Sequence, residues 1–186
     1  MERNTIGGRT RHDDTIHLAD PDPAWPAVFA GEAEQIRRAL GPEALAVDHV
    51  GSTSVPDLAA KPFIDIVLTV ADSTAEAGYV PPLESLGYML RIREPDWFEH
   101  RFLRRADAPF QVHVFSAGCP EIDQMLRFRD HLRADPADRA LYERTKRELA
   151  ARRWTYVQHY ADAKSDVVAD ILSRATSGGT GRPGPG

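Results

Sequence analysis

The chain has 186 residues, a formal net charge of −5 at pH 7, and 42% hydrophobic and 27% charged residues, the proportions of an ordinary soluble globular protein. No apolar run approaches the ~18 residues of a membrane span, and the acidic balance argues against binding long nucleic acid. The single cysteine, Cys119, rules out an intramolecular disulfide and a thiolate zinc cage.

The opening MERNTIGGRTRHDD lacks the apolar stretch of a secretory signal, so a reducing cytoplasm is the expected location. Residues 1–14 are polar and read as a disordered arm. Residues 175–186, rich in Gly and Pro, read as a disordered tail. The stretch 15–174 between them reads as one domain. Asp22 and Pro23 suit the start of a helix as N-cap and first residue. Trp25, Phe29, Ala33, Ile36 and Leu40 then recur at helical spacing up to the Gly41-Pro42 stop. Residues 44–50 and 62–70 read as strands, the second apolar enough to be buried on both faces. A short helix fits 80–87, with Pro at its start and Gly at its end. Strands over 88–93, 98–104 and 109–115 form a meander. Beyond Pro120 the period becomes helical, over 120–134, 136–151 and about 154–174. That order is an α+β pattern with a helical C-terminal part.

The chemistry concentrates in HVGSTSVPDLAAKPFIDI, residues 49–66. Gly51 permits close approach of a ligand to the backbone. Ser52, Thr53 and Ser54 offer hydroxyls and N–H groups to phosphate oxygens, and Lys61 adds positive charge for the same anion. Asp65 lies inside an apolar strand and needs a partner there, whether a metal ion, a buried lysine or backbone N–H groups. His113 alternates with Val112 and Val114, so it and Gln111 share the opposite face of their strand. In the C-terminal helices, Arg127 and Asp130 share a face. Tyr142 with Lys146, and Tyr160 with Lys164, repeat an i, i+4 spacing. A cation crossing from these helices to the serine loop would close a phosphate pocket.

These motifs resemble the GrpB-like family, whose members have the fold of the nucleotidyltransferase superfamily related to DNA polymerase beta. Gly51-Ser52 followed by Asp65 on the next strand is similar to that superfamily's signature. DPDPAWPAVFAGEAEQI, VHVFSAG and LRFRDHLRADPADRALYERTKRELA resemble further family segments, so the likeness runs from about Ile16 to Leu172. It implies a mixed sheet of about five strands flanked by helices, with C-terminal helices over the cleft. It implies an enzyme that binds a nucleotide or another phosphorylated small molecule and transfers a nucleotidyl or related group to a small acceptor. The site it implies has Asp65 and His113 as catalytic residues and as ligands of Mg²⁺ or Mn²⁺. Gly51, Ser52, Thr53, Ser54, Lys61, Arg127 and Lys146 would bind substrate. The chain departs from the superfamily pattern at Val67, where a second carboxylate two residues after Asp65 is usual. That departure keeps two alternatives open. One is a non-catalytic nucleotide- or coenzyme-binding module. The other is a repurposed small-molecule enzyme using His113 as base.

Overall fold

The computed structural model describes residues 4–5 and 15–177. Two residues of the N-terminal arm form an edge strand, β1 (Asn4–Thr5). The rest of 1–14, and the tail from 178 onward, lie outside the described residues. The first helix, α1 (Trp25–Leu40), begins later than Asp22 and Pro23 would place it. Asp22 instead closes the turn before it, accepting from the Ala24 N–H at 2.8 Å, and Pro26 occupies the first helical turn.

The sheet continues with β2 (Ala46–Val50) and β3 (Ile64–Val70). After a short helix, α2 (Val80–Ser85), come β4 (Tyr88–Glu94), β5 (His100–Arg105) and β6 (Phe110–Ser116). The strand order is β1-β4-β5-β6-β3-β2. β3 and β6 run parallel, and every other pair is antiparallel. The expected meander is therefore present and docks along β3. Five strands carry the sheet, with β1 as a two-residue addition.

The two faces of β3 and β6 are divided by side-chain alternation. Ile64, Ile66, Leu68, Val70, Val112 and Val114 pack against α1 and α2 through Ala33, Ile36, Leu40 and Leu83. This is the main core. Asp65, Val67, Gln111, His113 and Phe115 point the other way. Over that second face lie α3 (Pro120–Ala134), α4 (Pro136–Ala150), α5 (Val157–Asp162) and α6 (Ser165–Ser177). Asp135 separates α3 from α4 and caps the latter, its carboxylate accepting from the N–H groups of Ala137 and Asp138. The single helix expected over 154–174 is two helices, broken at Ala163 and Lys164, and the second runs on to Ser177. No helix among the described residues is long and apolar enough to cross a membrane.

Candidate anion-binding site

The loop between β2 and β3 is anchored before it offers anything to a ligand. Val55 and Leu58 join Leu132, Tyr142 and Ile171 in an apolar cluster that ties the loop to the helices. Arg133 holds the Ser54 carbonyl with Nε and Nη2 at 3.0 and 2.8 Å. Arg129 donates to the His49 carbonyl at 3.0 Å. Two of the three loop hydroxyls turn inward. Thr53 donates to the Phe63 carbonyl and meets His49 Nε2, and Ser54 donates to the Gly51 carbonyl. His49 is stacked on Phe29 and held down at about 4 by burial and by Arg133 and Arg129. It orients the loop. Ser52 alone of the three hydroxyl residues lines the cavity.

Gly51 has φ of 70°, a left-handed conformation. A Cβ there would collide with the Asp65 carboxylate. The position demands glycine twice over, for its dihedral and for its neighbour.

Ser52, Lys61, Asp65, Gln111, Lys146, Tyr160 and Lys164 line a cavity of ≈ 70 Å³, with Leu18 and Phe63 at its edges. Three lysines thus meet one carboxylate. They come from the loop, from α4 and from the break between α5 and α6. Lys146 is 2% exposed. It donates to Ser52 Oγ at 3.0 Å and to the Ala59 carbonyl, and its Nζ lies 4.9 Å from the centre of the Tyr142 ring. Lys164 and Lys61 sit over the Tyr160 ring, 4.6 and 5.9 Å from its centre. The Tyr160 residue is 1% exposed, and its hydroxyl has no hydrogen-bond partner among the described residues.

The charges strain one another. Burial, with Lys164 and Arg147 nearby, brings Lys146 down to about 7. Burial likewise lowers Lys61 and Lys164 from their ordinary values. Asp65 is raised to about 6 by burial, against the pull of Lys61 and Lys164. The cavity is therefore a desolvated, cation-rich space that an incoming anion would relieve.

Several residues expected in the site lie elsewhere. Arg127 is exposed on α3 and does not line the cavity. The arginines that reach the loop are its neighbours Arg129 and Arg133, which use their charge on backbone carbonyls. His113 shares the sheet face with Asp65, two residues along from Gln111, but it too is absent from the cavity wall. Its Nδ1 meets His100 Nε2 at 3.1 Å, and His100 Nδ1 meets Glu94 at 2.8 Å. Burial, and His100 beside it, push His113 down to about 3. It is neutral there and a weak base.

The donor set does not fit a resident Mg²⁺ or Mn²⁺ at Asp65. Its carboxylate faces two ammonium groups, the position two residues on is the buried Val67, and His113 is engaged by His100. A hard divalent ion prefers several oxygen ligands. Among the described residues, the one group of three metal-competent side chains within 4.8 Å of one another is His131, Asp135 and Asp138. Arg174 already grips Asp138 there through two nitrogens.

Sequence reasoning missed Tyr160 and Lys164 as wall residues, although it noted their shared helical face. Nothing in the local pattern signals the break that turns Lys164 into the cavity.

A family model described as GrpB protein matches residues 15–174. A UPF0157 protein of Halalkalibacterium halodurans is 55% identical over 177 residues, 95% of this chain and 91% of that protein. A dephospho-CoA kinase of Mycolicibacterium paratuberculosis is 34% identical over 186 residues, which cover 85% of this chain and 46% of that protein. The crystal structure of the conserved protein GrpB from Enterococcus faecalis matches with a TM-score of 0.73 and 30% identity, over 86% of this chain and 96% of that one. On the match to its family model and to these relatives, the chain belongs to the GrpB family.

Proposed function

We propose that this protein is a transferase that binds a phosphorylated small molecule in the lysine-lined cavity, a nucleotide being the leading class. It passes a nucleotidyl or related group to a small acceptor. The observation that carries the reading is the convergence of Lys61, Lys146 and Lys164 on a small buried space with one carboxylate. Lys61 and Lys164, with Lys146 partly charged near pH 7, leave the space short of negative charge, and a phosphate group supplies it. The relative named dephospho-CoA kinase adds coenzyme A precursors to the nucleotides worth trying.

In this reading Lys61 and Lys164 hold the phosphate oxygens, and the Tyr160 hydroxyl donates to one of them. Asp65, ionised above about pH 6, takes the proton of the acceptor hydroxyl as that oxygen bonds to phosphorus, and the bond from phosphorus to the leaving oxygen breaks with its electron pair going to the leaving group. The lysines supply the charge neutralisation that metal ions give elsewhere. A divalent ion would enter as part of a metal–nucleotide substrate.

Val67 favours a second reading, a binding module that keeps the cavity and performs no transfer. A thermal-shift panel of ATP, GTP, CTP, UTP and coenzyme A precursors, with and without Mg²⁺ or Mn²⁺, tests both. A ligand at 100 times its Kd stabilises by about 2.7 kcal/mol. The transferase reading expects a shift without metal, followed by loss of transfer in Asp65→Asn with binding retained. A shift with no turnover in any acceptor screen favours the module. A shift that requires metal and disappears in Asp65→Asn would restore a metal site at Asp65. No shift with any phosphorylated compound overturns the reading.

A further inference from the structure

Lys146 differs from the other two lysines of the cavity in what it touches. Lys61 and Lys164 lie over the Tyr160 ring. Lys146 is almost fully buried and spends its contacts on the Ser52 hydroxyl and the Ala59 carbonyl. The carbonyl fixes the amine, and the amine is aimed at a serine rather than into open space. Ser52 in turn lines the cavity, directly after a glycine in a left-handed conformation. The Tyr142 hydroxyl lies beside the same serine, and its ring stands 4.9 Å from Lys146 Nζ. A serine hydroxyl, a buried amine within hydrogen-bond reach and a positioned third group form the arrangement of an activated nucleophile.

We propose that Ser52 is a covalent nucleophile and Lys146 its general base, so that group transfer proceeds through a phosphoryl ester on Ser52. The inference rests on the phosphorylated substrate of the preceding section and specifies how the group is passed. In the first step neutral Lys146 takes the Ser52 proton as Oγ bonds to phosphorus. The bond from phosphorus to the leaving oxygen breaks, and the leaving group departs with the electron pair, its charge balanced by Lys61 and Lys164. In the second step the acceptor oxygen bonds to the same phosphorus and its proton goes to Asp65. The Ser52 Oγ–phosphorus bond breaks, and Oγ recovers its proton from the Lys146 ammonium. Burial prepares the base by bringing Lys146 to about 7, so that much of it is neutral near physiological pH. The charged and titratable groups facing it are Lys61, Lys164, Asp65, Glu143, Arg147 and Tyr142.

The test uses a fluorophosphonate, an electrophilic phosphorus probe that needs no knowledge of the substrate. Intact-mass and peptide mass spectrometry of the full chain should find one adduct on Ser52, absent in Ser52→Ala. The labelling rate should fall at least about 100-fold in Lys146→Met. In wild type it should rise through about pH 7 as Lys146 loses its proton, and inorganic tripolyphosphate should slow it. Labelling of Lys146→Met at the wild-type rate overturns the base. Should that variant fail to fold by circular dichroism, a flat wild-type rate across pH 6 to 9 overturns it equally. Absence of a Ser52 adduct in protein that tripolyphosphate still stabilises against heat overturns the nucleophile and leaves the anion site standing. Absence of both adduct and stabilisation overturns the anion site as well.

Discussion

Tyr160 buries a hydroxyl without a partner among the described residues, which costs about 1–3 kcal/mol of desolvation. Removing it should therefore not weaken the free protein. Tyr160→Phe is expected to melt at or above the wild-type temperature in calorimetry, by up to about 1 kcal/mol. The same variant should bind the phosphorylated ligand about 10-fold less tightly, because a hydrogen bond to a charged group is worth about 1.5–3 kcal/mol. A variant that melts lower, or binds equally well, would show that the hydroxyl has no ligand to serve. The serines illustrate the same point about single residues. Three hydroxyls in a row look equivalent in Ser52-Thr53-Ser54, yet two of them hold the loop's own backbone. Which hydroxyl faces the cavity was not legible, because a tight turn points successive side chains in unrelated directions.

At the scale of elements, α1 is fastened to the sheet by one buried charge. Glu32 is 2% exposed. It accepts from the Tyr88 hydroxyl at 2.8 Å and from Arg105 Nη1 at 2.9 Å. Removing the cation leaves a buried carboxylate with two neutral donors, the Tyr88 hydroxyl and the Gln35 amide at 3.3 Å. Arg105→Ala should destabilise by about 3 kcal/mol in urea unfolding, and Glu32→Gln in the same background should recover part of that loss. An effect below about 1 kcal/mol would mean that Glu32 reaches solvent. The elements themselves were largely legible. Apolar spacing and Gly-Pro punctuation carried α1, and alternation carried β4 to β6. The break in the last helix was not, since Ala163 and Lys164 are ordinary helix formers.

For the whole molecule, the cavity should give a distinctive pH dependence of stability. Asp65 has a folded value of about 6, above the usual carboxylate value of 3.8. Its favourable contribution is therefore complete below about pH 4 and lost as the pH rises through about 6, a change of about 3 kcal/mol. Lys146 has a folded value of about 7, below the usual 10.5. Its penalty is complete below pH 7 and relieved as the pH rises from there towards 10.5. The site thus opposes folding most between about pH 6 and 7. Asp65→Asn should remove the decline between pH 4 and 6 and should stabilise the ligand-free protein at pH 7 in urea unfolding. A decline of equal size in that variant would place its origin elsewhere. A bound polyphosphate should offset the strain at neutral pH, because it supplies the anion that the lysines lack.

By itself the sequence determined the family, the order of helices and strands, and the segment in which the chemistry lies. These follow from periodicity, from punctuation by Gly and Pro, and from motif residues close together in the chain. Gly51, Ser52, Lys61 and Asp65 are such residues, all within one short stretch. Tertiary structure decided which distant groups join them. Lys146 comes from α4 and Lys164 from the break between α5 and α6, and only packing of the loop against that helical part brings their amines to Ser52 and Asp65. It also decided against Arg127 as a cavity residue, since its helix turns Arg129 and Arg133 toward the loop instead. Side-chain direction on a packed helix depends on what covers it, and a one-dimensional pattern does not contain that.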